Sequence, residues 1–344
     1  MKATTPIPVS VLTGFLGSGK TTMLAHLLRQ PEFSRTAVII NEFGEIGLDH
    51  ELIETSEDNV VALTTGCLCC KVRTDLTQTL QDLLHRRDQG ACTAFDRVVI
   101  ETSGLADPAP VLHALMTDTD LAGRVVLGGV VTTVDAVLGE ATLEREAISR
   151  KQVAVADRIV LSKLDLIDGI ACSLLGRLAA LNPGAATLRA VHGRIESENL
   201  FDAPLRGADD GALEIGSWLA PAREHTHDHY DAEIKTYSIA RTEPIRAVAL
   251  TLFLEALAEH CGADLLRLKG IVHIAESPLR PAVIHGVQHV FHPPAWLERW
   301  PSADRTSRMV FITRRIPRRW VEVLLDAIAA EVADVSAASS VHRD

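Results

Sequence analysis

The 344-residue chain has no surplus of basic charge: 34 lysines and arginines stand against 45 aspartates and glutamates, a formal net charge of −11. Nucleic-acid binding rests largely on neutralising phosphates with Lys and Arg, so no nucleic-acid partner is expected. Nor is there an apolar run long enough to cross a bilayer, which takes about 20 residues. The most apolar stretch, VVLGGVVTTVDAVLG (125–139), is interrupted by Asp135. The opening MKATTPIPVSVLTG has one lysine and no apolar h-region, so it does not read as a secretory signal. A cytoplasmic protein with no membrane partner is the expectation. Thiols stay reduced in that compartment, and clustered cysteines there point to metal or redox chemistry rather than structural disulfides. No internal repeat is visible. What remains, 47% hydrophobic and 23% charged residues over this length, suits a globular protein of two ordinary domains.

Short β-branched runs alternate with amphipathic stretches through the first half. VSVLT (9–13), AVII (37–40), VVAL (60–63), RVVIE (97–101), VVLGGVV (125–131) and RIVLS (158–162) read as strands buried on both faces. VRTDLTQTLQDLLHRR lies among them as a helix, with Leu76, Leu80, Leu83 and Leu84 on one face. Strands alternating with helices predict an α/β domain, a mostly parallel sheet covered on both faces, over residues 1–195. Residues 196–232 are polar, charged and punctuated by Gly and Pro, and read as a linker. A smaller α+β domain is predicted over 233–334, followed by a tail at 335–344.

GFLGSGKTT (14–22) fits G-x-x-x-x-G-K-[ST], follows a strand and opens a helix. Gly14, Gly17, Ser18 and Gly19 form a loop whose backbone N–H groups can face phosphates. Lys20 supplies positive charge to the β- and γ-phosphates, and Thr21, followed by Thr22, offers a hydroxyl to Mg²⁺. VVIETSG then ends a buried strand in Glu101, with Gly104 three residues on. A carboxylate at the C-terminal end of such a strand faces the nucleotide edge of a parallel sheet. Lys20, Thr21 and Glu101 are therefore the predicted catalytic residues. No glutamine follows Gly104, and Asp107 is a weak candidate for positioning the attacking water. VLSKLDL places Ser162, Lys163 and Asp165 after another strand, close to the N-K-x-D that reads guanine. Asp165 can accept from the N1–H and N2–H₂ edge, which adenine does not present, so GTP is expected over ATP.

TTGCLCCKVRTDL (64–76) places Cys67, Cys69 and Cys70 within four positions, without the second pair of ligands that completes a zinc finger. A helix is predicted to begin near Val72, and a helix N-terminus with Lys71 and Arg73 close by favours thiolate. In an extended segment Cys67 and Cys69 project to one side and Cys70 to the other. Three thiolates and one further ligand suit tetrahedral Zn²⁺, with Co²⁺ able to substitute; a redox C-x-C centre and buried cysteines are the other readings. Glu42, in NEFGEIGLDH after the second strand, is a candidate for that further ligand or for the Mg²⁺ shell. His225, His227 and His229 alternate in the linker, either as a loose metal-capture tract or as solvated chain. Cys92, Cys172 and Cys261 are isolated and read as core residues.

Together GFLGSGKTT, NEFGEIGLDH, GCLCC, ETSGLADP and SKLD, with LLRLKGIV and HGVQHVFHPPAW later in the chain, resemble the CobW-type metallochaperone GTPases. These are relatives of the nickel chaperones for urease and hydrogenase, and the likeness runs over nearly the whole chain. The resemblance implies a P-loop domain joined to a CobW C-terminal domain. It also implies slow GTP hydrolysis, and Zn²⁺ or Co²⁺ held by C-x-C-C when Mg-GTP is bound. Ser162 stands where the family motif has Asn. The expected function is delivery of a transition metal to a client metalloprotein, with a homodimer allowed. A P-loop small-molecule kinase and a nucleotide-bound metal store or sensor are the alternatives.

Overall fold

The computed structural model describes residues 6–42, 60–64, 69–195, 200–201 and 233–341. The chain divides into two compact units, Met1–Ala179 with Ala185–Arg206, and Ala180–Gly184 with Gly207–Asp344.

The first unit carries β1 (Ile7–Gly14), α1 (Lys20–Leu28), β2 (Thr36–Glu42), β3 (Val60–Thr64), α2 (Cys69–Asp88), β4 (Arg97–Thr102) and α3 (Ala109–Thr117). These are followed by β5 (Val125–Asp135), α4 (Gly139–Arg145), α5 (Ala147–Ala154), β6 (Arg158–Ser162), α6 (Cys172–Leu181), β7 (Ala186–Val191) and β8 (Arg194–Ile195). The sheet order is β3-β2-β4-β1-β5-β6-β7-β8. The first seven strands are parallel and the short β8 returns antiparallel to β7. Parallel strands buried on both faces need continuous apolar sequence, which β1, β4 and β6 supply: Val9, Val11, Leu12, Val98, Val99, Ile100, Ile159, Val160 and Leu161 are all fully buried. The order matches the predicted doubly covered parallel sheet, and it sets β1 between β4 and β5 at the centre.

In α2 the predicted stripe holds, with Leu76, Leu80, Leu83 and Leu84 buried. Its start does not. The helix begins at Cys69, not near Val72, because nothing between Cys69 and Val72 breaks it; the last glycine before it is Gly66. Cys69 and Cys70 therefore belong to a helical first turn, about 100° apart around the axis, and the alternating geometry of an extended chain does not apply to them. Cys67 lies outside the described residues.

A second correction falls at the predicted linker. Leu200 and Phe201 are buried in the first unit's core with Leu24, Leu27 and Phe33. The Phe201 ring meets Phe33 edge-on at 6.0 Å, and its carbonyl accepts a hydrogen bond from Ser10 Oγ at 3.1 Å. The surrounding polar sequence hid two apolar anchors. Phe201→Ala is expected to destabilise this unit by about 3–5 kcal/mol, the usual range for an excised core phenylalanine. Chemical denaturation of the full chain, followed by far-UV circular dichroism, measures it.

The second unit has β9 (Ile234–Arg241), α7 (Ala247–Cys261), β10 (Leu265–Val272), β11 (Ala282–Val287), β12 (Val290–Phe291), β13 (Ala295–Trp296), β14 (Ser307–Arg314) and α8 (Arg318–Val341). Its antiparallel sheet runs β12-β11-β10-β14-β9, with β13 on β11. One face packs on α7 and α8 through a core that includes Ile239, Phe253, Leu257, Leu268, Phe311 and Val321. Phe311 stacks on Tyr237 and takes Phe253 edge-on. Of the isolated cysteines predicted as core residues, Cys261 is half-buried and packs against this core, whereas Cys92 is half-buried and Cys172 is exposed. Among the described residues no helix is long and apolar enough to cross a membrane.

Candidate nucleotide and metal site

The C-terminal ends of β3, β2, β4 and β1 lie side by side, and the chain leaves each of them into a predicted motif. Register pairs Glu42 with Thr64, Asn41 with Thr102, and Leu12 with Glu101. The turn after β1 is GFLGSGKTT, β2 ends in Glu42, β4 passes into the ETSG loop, and β3 leads within three residues to Cys67. Ligands bind at this kind of edge in open parallel sheets.

The phosphate loop is built from its own backbone. Gly17 and Gly19 take left-handed φ of 69° and 85°, and Ser18 N donates to Phe15 O at 3.1 Å. Ser18 Oγ lies 2.6 Å from Thr133 Oγ1 on β5. Lys20 is buried, and its Nζ donates to Gly14 O at 2.9 Å and Phe15 O at 3.3 Å, so the ammonium sits inside the curve of the loop.

Thr21 Oγ1 donates to Glu101 Oε1 at 2.6 Å, so the hydroxyl and the carboxylate predicted for one cation meet; Glu101 is only 3% exposed. Gly104 follows with no room to spare: a Cβ there would lie 2.7 Å from Leu16 N and 2.8 Å from Leu16 Cα. Only glycine lets the ETSG loop lie flat against the phosphate loop. Gln152 of α5 holds that loop from beneath, its fully buried amide donating to Gly104 O and Ala106 O at 3.1 Å each. No motif in the sequence pointed to this residue, which lies on α5, outside every stretch singled out above. Asp107 is corrected as a water-positioning candidate. Its Oδ1 accepts from Ala109 N at the start of α3 at 3.0 Å and its Oδ2 pairs with Lys151 Nζ of α5 at 3.0 Å, so both oxygens are engaged by neighbouring helices.

The S-K-L-D turn has a division of labour. Ser162 is buried, and its hydroxyl donates to Ser18 O at 2.7 Å, which places it behind the phosphate loop rather than beside a base. Lys163 has φ 60°, and its Nζ pairs with Asp135 Oδ2 at 2.6 Å, while Asp135 Oδ1 accepts from Val137 N and Leu138 N. Asp165 Oδ1 accepts from His192 N at 3.0 Å. That backbone bond, the largest influence on it, holds the Asp165 carboxyl below its ordinary range, so it is ionised at neutral pH. His192 was missed from sequence because the strand presenting it, β7, is mostly exposed and has no apolar run.

Glu42 ends β2 beside β3, and Cys69 and Cys70 open α2, where first-turn N–H groups have no intrahelical acceptor. His225, His227 and His229 lie outside the described residues.

A parallel sheet whose first turn is a phosphate loop, faced by a carboxylate from the adjacent strand and flanked by an S-K-x-D turn, defines a P-loop nucleotide-binding protein. Residues 8–189 match the CobW/HypB/UreG nucleotide-binding domain, and residues 234–329 match the cobalamin synthesis protein cobW C-terminal domain. The chain belongs to the CobW/HypB/UreG family. It is 35% identical over 312 residues to the zinc chaperone YjiA of Escherichia coli, covering 91% of this chain and 95% of that one. It is 31% identical over 324 residues to the zinc chaperone CobW of a Sinorhizobium species, covering 80% and 83%. A crystal structure of the Zn(II)-bound YjiA GTPase from E. coli superimposes with a TM-score of 0.73 at 28% identity, over 94% of this chain and 99% of that one.

Proposed function

We propose that this protein is a GTP-dependent zinc metallochaperone. It binds Zn²⁺, or Co²⁺ in second place, through Cys67, Cys69 and Cys70 with Glu42 as the further ligand. It hydrolyses GTP and passes the metal to a client metalloprotein. The observation that carries this reading is the convergence of four strand ends, which sets the strand that leads to the cysteines beside Glu42, and Glu42's strand beside the strand of Glu101. A change in the loops around the γ-phosphate can then reach the metal ligands through one strand end, the kind of order change by which nucleotide switches work. The names of the relatives, zinc chaperones along nearly their whole length, support it.

The residues present fit Mg-GTP. The buried Glu101 carboxylate and the Thr21 hydroxyl, 2.6 Å apart, are the hard oxygen donors that Mg²⁺ takes, and these two would hold it. When bound, Mg²⁺ neutralises charge on the β- and γ-phosphates. Lys20 and the loop amides bind those phosphates, Gln152 fixes the ETSG loop beside them, and Asp165 reads the guanine edge. Slow intrinsic turnover is part of this reading.

The test is a titration of Zn²⁺ and Co²⁺ into wild type and the Cys67→Ser/Cys69→Ser variant, each with Mg-GTP and with Mg-GDP. Wild type is expected to bind Zn²⁺ at least roughly tenfold more tightly in the GTP state, within the usual range of allosteric coupling. The variant loses that difference. Equal affinity in both nucleotide states overturns delivery and leaves a metal store or sensor.

A further inference from the structure

Asp165 is already engaged by its own chain. Besides the 3.0 Å bond from His192 N to Oδ1, the His192 ring places Nδ1 3.2 Å from Oδ2. Both oxygens that a guanine edge would use are thus in contact with one residue. The two contacts differ in kind. The backbone bond is fixed by the β7–β8 turn, where His192 has φ 49° and Gly193 φ 74°. That turn is pressed onto α1: a Cβ on Gly193 would lie 2.6 Å from the His26 ring and 3.3 Å from Thr22 O, so the turn cannot shift inward. The imidazole is a free lever by comparison, its side chain 74% exposed.

We propose that His192 is a competitive cap on the base-reading carboxylate: its imidazole holds Asp165 Oδ2 and swings away when a guanine nucleotide arrives, while its backbone N–H stays on Oδ1. This rests on the reading of Asp165 as the guanine acceptor. The cap is a tax on affinity, since the competent form is the one with the imidazole displaced. It is also sensitive to protons. An imidazolium has two N–H donors and a positive charge, and imidazoles generally gain that charge on acidification between pH 8 and 5. A carboxylate that is ionised throughout this interval pairs better with imidazolium than with imidazole. Acid therefore strengthens the cap and weakens guanine binding. The other titratable or charged groups around the ring are His26 on α1 and Arg189 and Arg194 on β7 and β8, which line the same cleft of about 730 Å³. Lys163 is committed to Asp135 at 2.6 Å. His26 is the other imidazole lining that cleft.

The experiment measures the affinity of a fluorescent GDP analogue, with Mg²⁺, for the full chain and for His192→Gly and His192→Asn from pH 8 to 5.5. Both replacements tolerate a left-handed backbone and keep the N–H that bonds Oδ1. The terminal phosphate and every group other than residue 192 are common to all three proteins, so their effects cancel in the ratio of variant to wild type. That ratio is expected to rise as pH falls, reaching roughly three- to tenfold tighter binding by the variants at pH 5.5. A ratio constant with pH overturns the cap alone, and so do variants that bind more weakly at every pH, which would make the ring a support for Asp165. Failure of wild type to bind the guanine nucleotide at all would overturn the guanine reading, and the cap with it.

Discussion

Glu101→Gln is expected to lower GTP hydrolysis by roughly 10²–10³-fold, the loss typical when one electrostatic stabiliser is removed from a preorganised site. The substitution is nearly isosteric and keeps an oxygen that can accept from Thr21 Oγ1, now 2.6 Å from Oε1. It removes the charge and turns the second oxygen into an NH₂ donor. Glu101 sits at the end of a central strand between Leu12 and Ile40 and is almost wholly buried, so the fold around an uncharged amide should hold. Phosphate release at saturating Mg-GTP measures the effect. Nucleotide affinity with and without Mg²⁺ locates it: the variant should lose most of the affinity that Mg²⁺ adds and little of the affinity without it. Thr21→Ala should behave alike, and the double variant should lose scarcely more than either single one, because groups that act as a unit are not additive. Turnover within roughly threefold of wild type would remove Glu101 from the site.

The parts of this site were not equally visible in the sequence. The phosphate loop, Glu101 and Gly104 were legible because each follows a strand with a continuous apolar run, and such a run fixes where the strand ends and what its last residue faces. The ordering of strands around them was not: that Glu42 and the approach to Cys67 are neighbours depends on β2 pairing with both β3 and β4, a long-range choice that local pattern does not encode. Gln152 and His192 were invisible for a further reason. Gln152 acts through its amide on backbone carbonyls some fifty residues away in the chain, a role without a spacing rule. His192 is carried by a strand whose burial alternates weakly and whose partner β8 has two residues, so no periodicity announced it. The start of α2 was misplaced because a helix boundary was set by the apolar stripe, while the helix itself needs only residues that do not break it. Leu200 and Phe201 show the converse error, two anchors averaged away by a polar window.

Asp165→Asn should exchange one base for another. A carboxylate offers acceptors only, which suits the N1–H and N2–H₂ of guanine; an asparagine amide offers one acceptor and one donor. Xanthine keeps N1–H but has a carbonyl at C2, so the amide matches xanthine and mismatches guanine. The structure fixes which way that amide points. His192 N can donate only to an oxygen, so the amide oxygen takes the Oδ1 place, 3.0 Å from that nitrogen in the present geometry, and the NH₂ takes the Oδ2 place. GTP affinity is expected to fall roughly 10²–10³-fold, as when a polar substrate group is left facing a like partner, and XTP affinity to rise until it exceeds that for GTP. Competition of GTP, XTP and ATP against one fluorescent nucleotide gives all three constants in one protein. Ser162 does not enter this exchange, because its hydroxyl is spent on Ser18 O at 2.7 Å. The serine at that position therefore bears on the stiffness of the phosphate loop, and on the proposed reading the choice of base falls to Asp165. Unchanged preference for GTP over XTP in Asp165→Asn would mean that the base is read elsewhere, and the S-K-L-D turn would then be a brace for the loop and nothing more.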